Sequence, residues 1–486
     1  MNRQLVIVAA ILSLGFTIGW TNVAHAANRP NIVLVLADDM GWADLACQGG
    51  DLVETPNIDQ LARDGVRFTQ AYAAAAICTP TRAALMTGKS PARLRITVWS
   101  EDSLRRDTSR KFLAGESHHN LPLQEVTIAE RLHDAGYLTA SIGKWHLGDA
   151  DHFPETQGFD VNIGGNHWGA PGTFFYPYRK EGRFGPGIRY IPHMEYGKAG
   201  EYLTDRLTDE AINTIDRANG QPFFVYLAHY AVHTPLEAKQ PDIDHFSGRI
   251  APGTRHQNAT YAAMVKSLDE SVGRIRQHLV EKGLQQETVF IFTSDNGGVT
   301  RNSPSDGQFT PVTSNYPLRS GKGSLYEGGL RVPLLISWPG VTEAGRTITQ
   351  PVILTDMHHT LASIAGLPEY ADWGKDGPPT DGIDITPILR DSSTLLPRDE
   401  FLFHYPHYYF NMSPASAIRS GDWKLVRFYE DDSRELYHLG EDPGEVANRI
   451  DSNPDKAAEL EQRLNAWLQE TNAAYPRKNP DFPPAH

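Results

Sequence analysis

Two cysteines, Cys47 and Cys78, are the only thiols in 486 residues, and Cys78 heads the segment with the most chemistry in it. Cys78-Thr-Pro-Thr-Arg82-Ala-Ala-Leu-Met-Thr-Gly88 reads as the opening of a helix. Thr79 is a candidate N-cap, and Pro80 suits a first turn, where its missing N–H removes no hydrogen bond. Cys78 then stands just ahead of a helix N-terminus, a natural anion site, with Arg82 one turn on. By spacing alone, a reactive or anion-binding thiol and a small buried structural one are equally acceptable readings.

Two acidic pairs point to a second kind of chemistry. Asp38-Asp39 follows an apolar run over residues 31–37, and Asp295-Asn296 follows another over 288–293. Alone, either pair reads as solvated acids or a helix cap. Brought together they offer four oxygen donors, and three clustered carboxylates raise one another's pKa unless a cation lies among them. Hard oxygen donors without Cys or His suit calcium or magnesium rather than zinc, so the set favours a metal site.

These residues can act only if the fold carries them to one place. Four short apolar, β-branched runs break off into polar clusters, the pattern of buried parallel strands ending at a functional edge. Residues 31–37 lead to Asp38-Asp39, and 138–142 to Gly143-Lys144-Trp145-His146. Residues 223–227 lead to His229 and His233, and 288–293 to Asp295-Asn296. Helical signals separate them. Thr127-Ile-Ala-Glu130 is a capping box with Gly136 at the far end. Met264, Leu268, Val272, Ile275 and Leu279 recur at helical spacing before Gly283, a stripe that reads as core packing. The alternation implies an α/β sheet with helices on both faces and ligands outside the strands' carboxyl ends.

Length and composition bound the rest. At 40% hydrophobic and 21% charged, the chain suits a main domain plus a smaller one and excludes a disordered or multi-span membrane protein. The net charge of −14 argues against nucleic acid as a partner. Residues 1–26 read as a cleaved secretory signal: Arg3, an apolar run from Leu5 to Trp20 broken by Gly15 and Gly19, then Ala24-His25-Ala26. The expectation is an exported protein, periplasmic or secreted, with no membrane attachment once the signal is removed. Two cysteines in such a protein ordinarily invite a disulfide. Residues 150–200 form a long insert rich in Gly, Pro, aromatics and His. From about Arg398 the pattern becomes antiparallel strands over 416–419, 423–429 and 435–439. A helix carrying Leu460, Leu464, Trp467 and Leu468 follows. The expected division is a catalytic domain over 27–397 and a small antiparallel α+β domain over 398–486.

The motif around Cys78 resembles the signature of the sulfatases of the alkaline phosphatase superfamily, in which the cysteine is oxidised to formylglycine. The resemblance runs through nearly the whole chain after residue 30. Asn31 to Asp39 resembles the family's opening strand and metal aspartates, and Gly143-Lys-Trp-His-Leu-Gly148 its second signature. His233-Thr-Pro, Ser294-Asp-Asn-Gly-Gly298 and Gly321-Lys322-Gly follow in the family's order, and residues 416–425 resemble its C-terminal domain. An alkaline phosphatase-like fold is therefore implied, with a large, mainly parallel mixed sheet between helices.

The resemblance also implies a mechanism. Cys78, as formylglycine made by a dedicated maturation enzyme, is hydrated, and one hydroxyl attacks sulfur. A cation, calcium rather than magnesium, is held by Asp38, Asp39, Asp295 and Asn296 together with residue 78. Arg82, Lys144 and Lys322 offset sulfuryl charge, His233 or Lys322 protonates the leaving oxygen, and His146 takes a proton from the second hydroxyl so that sulfate is expelled. Read singly, Lys144 and Lys322 are ordinary surface lysines and the histidines satisfied core residues. Their shared position at strand ends reverses that reading.

For the substrate, residues 166–180, including His167 and Trp168, and 403–410, including His404, are candidates for the mouth of the site. Aromatic faces pack on sugar rings, and His, Arg and Asn bind hydroxyls and flanking sulfates, so a sulfated carbohydrate is expected. The same aromatics also suit an interface between domains. Two other functions fit the motifs: a phosphodiesterase or phosphonate monoester hydrolase of the same superfamily, and a non-catalytic binder of sulfated glycan.

Overall fold

The computed structural model describes residues 29–182, 187–301, 311–368, 379–391 and 393–483. The expected signal over 1–26 lies outside the described residues. Nine strands form the main sheet: β1 (Asn31–Ala37), β2 (Val66–Tyr72), β3 (Leu138–Gly143), β4 (Val161–Ile163), β5 (Phe223–Ala228), β6 (Thr288–Ser294), β7 (Arg331–Ser337), β8 (Arg346–Ile348) and β9 (Val352–Ile353). Their order is β8-β2-β7-β6-β1-β5-β3-β4, with β9 also pairing β2. Only β7 runs antiparallel to its neighbours, β2 and β6. This is the mixed, mostly parallel α/β architecture read from the sequence.

The sheet is covered on both faces, and alternation along β1 shows how. Val33 and Val35 share a core with α4 (Leu203–Ala218), α5 (Ala259–Glu281) and α1 (Pro56–Asp64). Ile32, Leu34 and Leu36 face the opposite core, with α2 (Cys78–Thr87), α3 (Ile128–Asp134) and α6 (Met357–Ile364). A strand buried on both faces is apolar at consecutive positions, which is why β1, β5 and β6 hold unbroken apolar stretches over 32–37, 223–228 and 289–292. The Thr127–Glu130 capping box forms with both of its hydrogen bonds. All five residues of the stripe on α5 are buried.

A second sheet, β10 (Glu400–Tyr405), β11 (Ala415–Ser420), β12 (Trp423–Phe428) and β13 (Arg434–His438), is antiparallel in that order. One face packs on α7 (Pro454–Glu470) through Leu460, Leu464 and Leu468. The other face, with Phe401, Phe403 and Ala417, packs on Tyr72, Ala76, Ile77 and Cys78 itself. Buried charges pin the contact: Lys424 on β12 donates to Glu327 and approaches Glu445, both at 2.9 Å. Glu327 also accepts from the Tyr72 hydroxyl at 2.6 Å, which Arg419 contacts in turn.

One ammonium thus serves two buried carboxylates. Burial pushes Glu445 up to about 7 despite Lys424, and nearby Glu327 adds to the rise. Burial acts the same way on Glu327, but Lys424 and Arg331 outweigh it and hold that carboxyl at about 2. Because the fold favours protonated Glu445, its contribution is complete below the ordinary carboxyl value and declines as pH rises toward 7. Glu445→Gln is expected to flatten that decline, and Lys424→Met to cost about 3–5 kcal/mol by stranding a buried charge. Denaturant midpoints between pH 4.5 and 7.5 measure both; an unaltered slope in Glu445→Gln would count against the shared-lysine account.

Candidate active site

Register decides which residues meet. Ala37 of β1 pairs with Ser294 of β6, Leu36 with Ala228 of β5, and Gly143 of β3 with Ala228. The four strands therefore end level, and the residues after them emerge at one edge. Backbone bonds knit the exits together: Asp38 N–H donates to Ala231 (3.0 Å), Asp295 to Ala37 (3.2 Å) and Lys144 to Ala228 (2.7 Å). Asp39 and His146 sit at φ +64° and +61°, a region L-residues seldom occupy, held there by this surrounding framework.

The floor is a buried lattice of opposite charges. Arg82 donates through Nε to Asp295 at 2.9 Å and through a terminal nitrogen to the Lys144 carbonyl at 2.8 Å. Lys144 Nζ reaches both oxygens of Asp38, at 2.9 and 2.8 Å. Lys322 Nζ lies 2.6 and 2.8 Å from the two oxygens of Asp39, and His233 Nε2 lies 3.5 Å from one of them. Burial outweighs the attraction of Lys144 at Asp38, whose pKa is raised well above the usual range. At Asp39 and Asp295 the penalty of burial is overcome, chiefly by Lys322 and Arg82 respectively, and both carboxyls are lowered. Burial likewise opposes the Lys322 ammonium, but Asp39 more than offsets it and the pKa rises well above its ordinary value. His233 is driven the other way by burial, down to about 3, and its Nδ1 contacts the Thr234 carbonyl at 2.6 Å.

The donor set fits a hard cation. Ligand atoms of Asp38, Asp39 and His233 lie within 4.8 Å of one another, as do those of Asp38, Cys78 and Asp295. Asn296 donates from Nδ2 to Asp39 at 2.8 Å and to the Gly297 carbonyl at 3.0 Å, yet its Oδ1 is buried with no donor. An orphaned buried acceptor is costly, and beside carboxylates a cation satisfies it without needing a proton.

Cys78 is the first residue of α2, two positions further in than the reading with Thr79 as N-cap, since Ile77 is the cap. Cys78 and Cys47 are both free thiols, so the disulfide reading fails. Cys78 Sγ lies 3.5 Å from His146 Nδ1, and His146 Nε2 lies 2.6 Å from Glu101. Glu101 is fixed by the Gly169 N–H (3.1 Å) and by Arg189 (3.3 Å). Gly169 is needed here because a Cβ would stand 2.3 Å from the His146 ring. Burial lowers the His146 pKa, with Glu101 opposing it.

Above this floor opens a cavity of about 1250 Å³, whose lining includes Asp39, Cys78, His146, His233 and Lys322. Three expected substrate contacts are not among the lining residues. His404 is buried within the second sheet, its ring nitrogens held at 2.7 Å from Ser416 Oγ and 3.0 Å from the Ala474 carbonyl. The turn after β10 supplies His407, Tyr408, Tyr409 and Phe410 to the cavity instead. The His167 ring lies tilted against Trp168, centroids 4.1 Å apart, and Trp168 carries the Arg189 guanidinium 4.5 Å above its ring, so this pair backs the cavity wall. His229, on the same strand exit as His233, is a core residue bound to Ser271 at 2.9 Å. Glu101 and Arg189 have no motif around them, and only the His146 ring between Glu101 and Cys78 reveals their relevance.

Residues 30–367 match the sulfatase family, and residues 321–474 match the C-terminal region of N-sulphoglucosamine sulphohydrolase. The chain is 34% identical to Homo sapiens steryl-sulfatase over 459 residues, 81% of this chain and 75% of that protein. It is 33% identical to the N-acetylgalactosamine-6-sulfatase of Canis lupus familiaris over 444 residues, 88% and 77% respectively. The crystal structure of Ps i-CgsB in complex with k-i-k-neocarrahexaose superposes with a TM-score of 0.75 at 29% identity, covering 94% of this chain and 95% of that one.

Titrating chelator-treated protein with Ca²⁺ or Mg²⁺ is expected to raise its unfolding free energy, by about 2.7 kcal/mol at one hundred times the Kd. Asn296→Ala, which changes no charge, is expected to weaken that response at least tenfold. If the native protein gains nothing, Arg82, Lys144 and Lys322 alone satisfy the carboxylates.

Proposed function

The chain belongs to the sulfatase family and is a sulfate ester hydrolase, and we propose that it acts through a formylglycine formed from Cys78, on a sulfated carbohydrate. The observation that carries this reading is Cys78 itself: an unpaired thiol on the first turn of α2, in contact with His146 and close to Asp38 and Asp295. A maturation enzyme would supply the aldehyde, and an exported protein, periplasmic or secreted, suits the signal pattern of residues 1–26. No helix among the described residues is long and apolar enough to cross a membrane. In this reading residues 27–397 form the catalytic unit and residues 398–486 a smaller unit that completes the cavity.

Asp38, Asp39, Asp295 and Asn296, with residue 78, would hold calcium, which supplies positive charge that acidifies a bound hydroxyl and stabilises sulfuryl oxygens. The hydrated aldehyde offers one hydroxyl to attack sulfur and a second whose proton must leave before sulfate can be expelled. A plain thiol lacks that second hydroxyl. His146 is the group for the second proton: its Nδ1 faces the residue 78 side chain, while Glu101 at Nε2 takes that ring N–H and leaves Nδ1 basic. Arg82 and Lys144 are held rigid by Asp295 and Asp38, so their charge is in position before substrate arrives. Lys322 already carries a proton for the leaving oxygen, with neutral His233 beside it on Asp39.

The relatives divide between a sterol and carbohydrates as the named substrate, and the cavity favours the second. Its lining mixes Arg, His, Ser and Tyr side chains, which suit hydroxyls and anionic groups better than a steroid skeleton.

Peptide mass around residue 78 tests the nucleophile: the modified residue has lost sulfur and two hydrogens and gained an oxygen. Cys78→Ala is expected to abolish turnover in a folded protein. A fully active preparation containing only the thiol would falsify the assignment. Glu101→Gln is expected to lower kcat by roughly 100-fold with little change in KM, because it weakens proton removal rather than binding. Glu101→Asp should recover part of the loss, and an effect confined to KM would make Glu101 a substrate ligand instead.

A further inference from the structure

The far wall of the cavity is basic, and nothing in the chemistry at Cys78 uses it. Arg95, Arg105, Arg106, Arg110 and Arg477 all line it. Counted over the whole lining, eight arginines and lysines face five carboxylates, in a chain whose net charge is −14. A concave surface opposite in sign to its protein focuses the field on an anionic ligand.

The wall is built from separate segments locked together. Arg105, Arg106 and Arg110 lie on the stretch leading into the short strand Phe112–Leu113, which pairs antiparallel with Arg477–Lys478 near the C-terminus. Asn479 donates through its side chain to the carbonyls of Thr108 (2.8 Å) and Arg110 (2.9 Å), and its own N–H binds Lys111 at 3.0 Å. The Phe112 N–H donates to the Tyr408 hydroxyl at 3.2 Å, tying the stretch to the turn after β10. Arg95 leans on the Asn472 carbonyl at 3.2 Å.

Three of the arginines are only loosely neutralised. Arg105 lies 3.5 Å from the half-buried Asp102, while Arg110, 3.2 Å from Asp107, and Arg477, 3.5 Å from Glu116, form largely exposed and so weakly coupled pairs. Arg110 also stands 5.2 Å over the Tyr408 ring. Among the described residues, neither Arg95 nor Arg106 has a carboxylate within ion-pair distance. Single exposed arginines are ordinary surface. Five of them, drawn from different parts of the chain onto one concave wall beside an active centre, are not.

We propose that this wall is a second anion subsite, which binds a charged group on a sugar unit next to the one whose sulfate is removed. The inference rests on the carbohydrate reading above and sharpens it: the preferred substrate is an oligosaccharide with at least two anionic groups. The volume agrees, since pockets for one small ligand run to roughly 300–1,000 Å³ and this one is larger. Guanidinium forks pair with sulfate and with carboxylate alike.

Inhibition of aryl sulfate turnover by three disaccharides tests the subsite in the full-length enzyme: one with a single sulfate, one with a second sulfate on the neighbouring unit, one with a uronate carboxylate there. The wild type is expected to bind the doubly anionic compounds at least tenfold more tightly than the singly sulfated one. In Arg106→Ala/Arg110→Ala that ratio should fall to within about twofold of unity. The preference should also weaken with added salt. Which doubly charged compound wins identifies the group as sulfate or carboxylate. A wild-type ratio near one, or an unchanged ratio in the variant, overturns the subsite. Absence of any aryl sulfate turnover would instead count against the catalytic reading. Calorimetric titration of the same enzyme and variant with the same disaccharides then decides the subsite separately, and the charge-removing but bulk-keeping Arg106→Gln/Arg110→Gln replaces an alanine variant that fails to fold, with the same collapse of the ratio expected.

Discussion

Three aspartates buried within reach of one another, facing three buried cations, set the terms for the rest of the molecule. Carboxylates without water repel strongly and are stable only when each has a counter-charge at hydrogen-bond distance. Lys144 answers Asp38, Lys322 answers Asp39 and Arg82 answers Asp295. The partners come from three strand exits, a helix and a loop. Such a lattice needs a rigid frame, because a displacement of one ångström leaves a buried charge unmatched. The level ends of β1, β3, β5 and β6 are that frame, and their unbroken burial makes it stiff.

The second sheet belongs to the same constraint. Its inner face packs on Ile77 and Cys78, and the turn after β10 sets Tyr409 against Gly323, the residue after Lys322. A Cβ at Gly323 would lie 1.9 Å from the Tyr409 ring, so the glycine is what lets the C-terminal sheet approach the loop carrying the Lys322 charge. The Lys424–Glu327–Glu445 network fixes the approach from the other side. The two sheets share the site, although its central charges come from the strand exits of the first sheet, from α2 and from the Lys322 loop, none from the second sheet.

Much of this was legible in sequence because burial and periodicity are strong local signals. The four runs ending in polar clusters appear as strands with nearly the expected bounds, since each strand is buried on both faces and built mainly from apolar or small residues. Legibility failed where one residue's role depends on a distant partner. His404 looked like part of an aromatic mouth, but it is the fifth residue of β10, and its ring is buried against Ser416 and Ala474. Only the turn beyond the strand reaches the cavity. Glu101 was invisible for the opposite reason: it lies on a short, weakly patterned segment, and its place against His146 is set by Gly169 and Arg189 on the long insert. The arginines of the far wall are equally silent in sequence, because their convergence depends on a strand pairing between residues 112–113 and 477–478.

The two thiols show how environment separates like residues. Cys47 is half-buried beside Asp59, and burial together with that carboxylate pushes its thiol up to about 12. Held protonated at any physiological pH, it is a poor nucleophile and a slow partner in disulfide exchange. Cys78 is buried at the start of α2 with His146 at its sulfur and Arg82 one turn along. Under the proposed formylglycine mechanism, such a chain gains from having no reactive thiol near residue 78, since a mixed disulfide there would block the modification. The inertness of Cys47 and the scarcity of cysteine in the whole sequence then act in the same direction: both leave the Cys78 thiol without a competing partner.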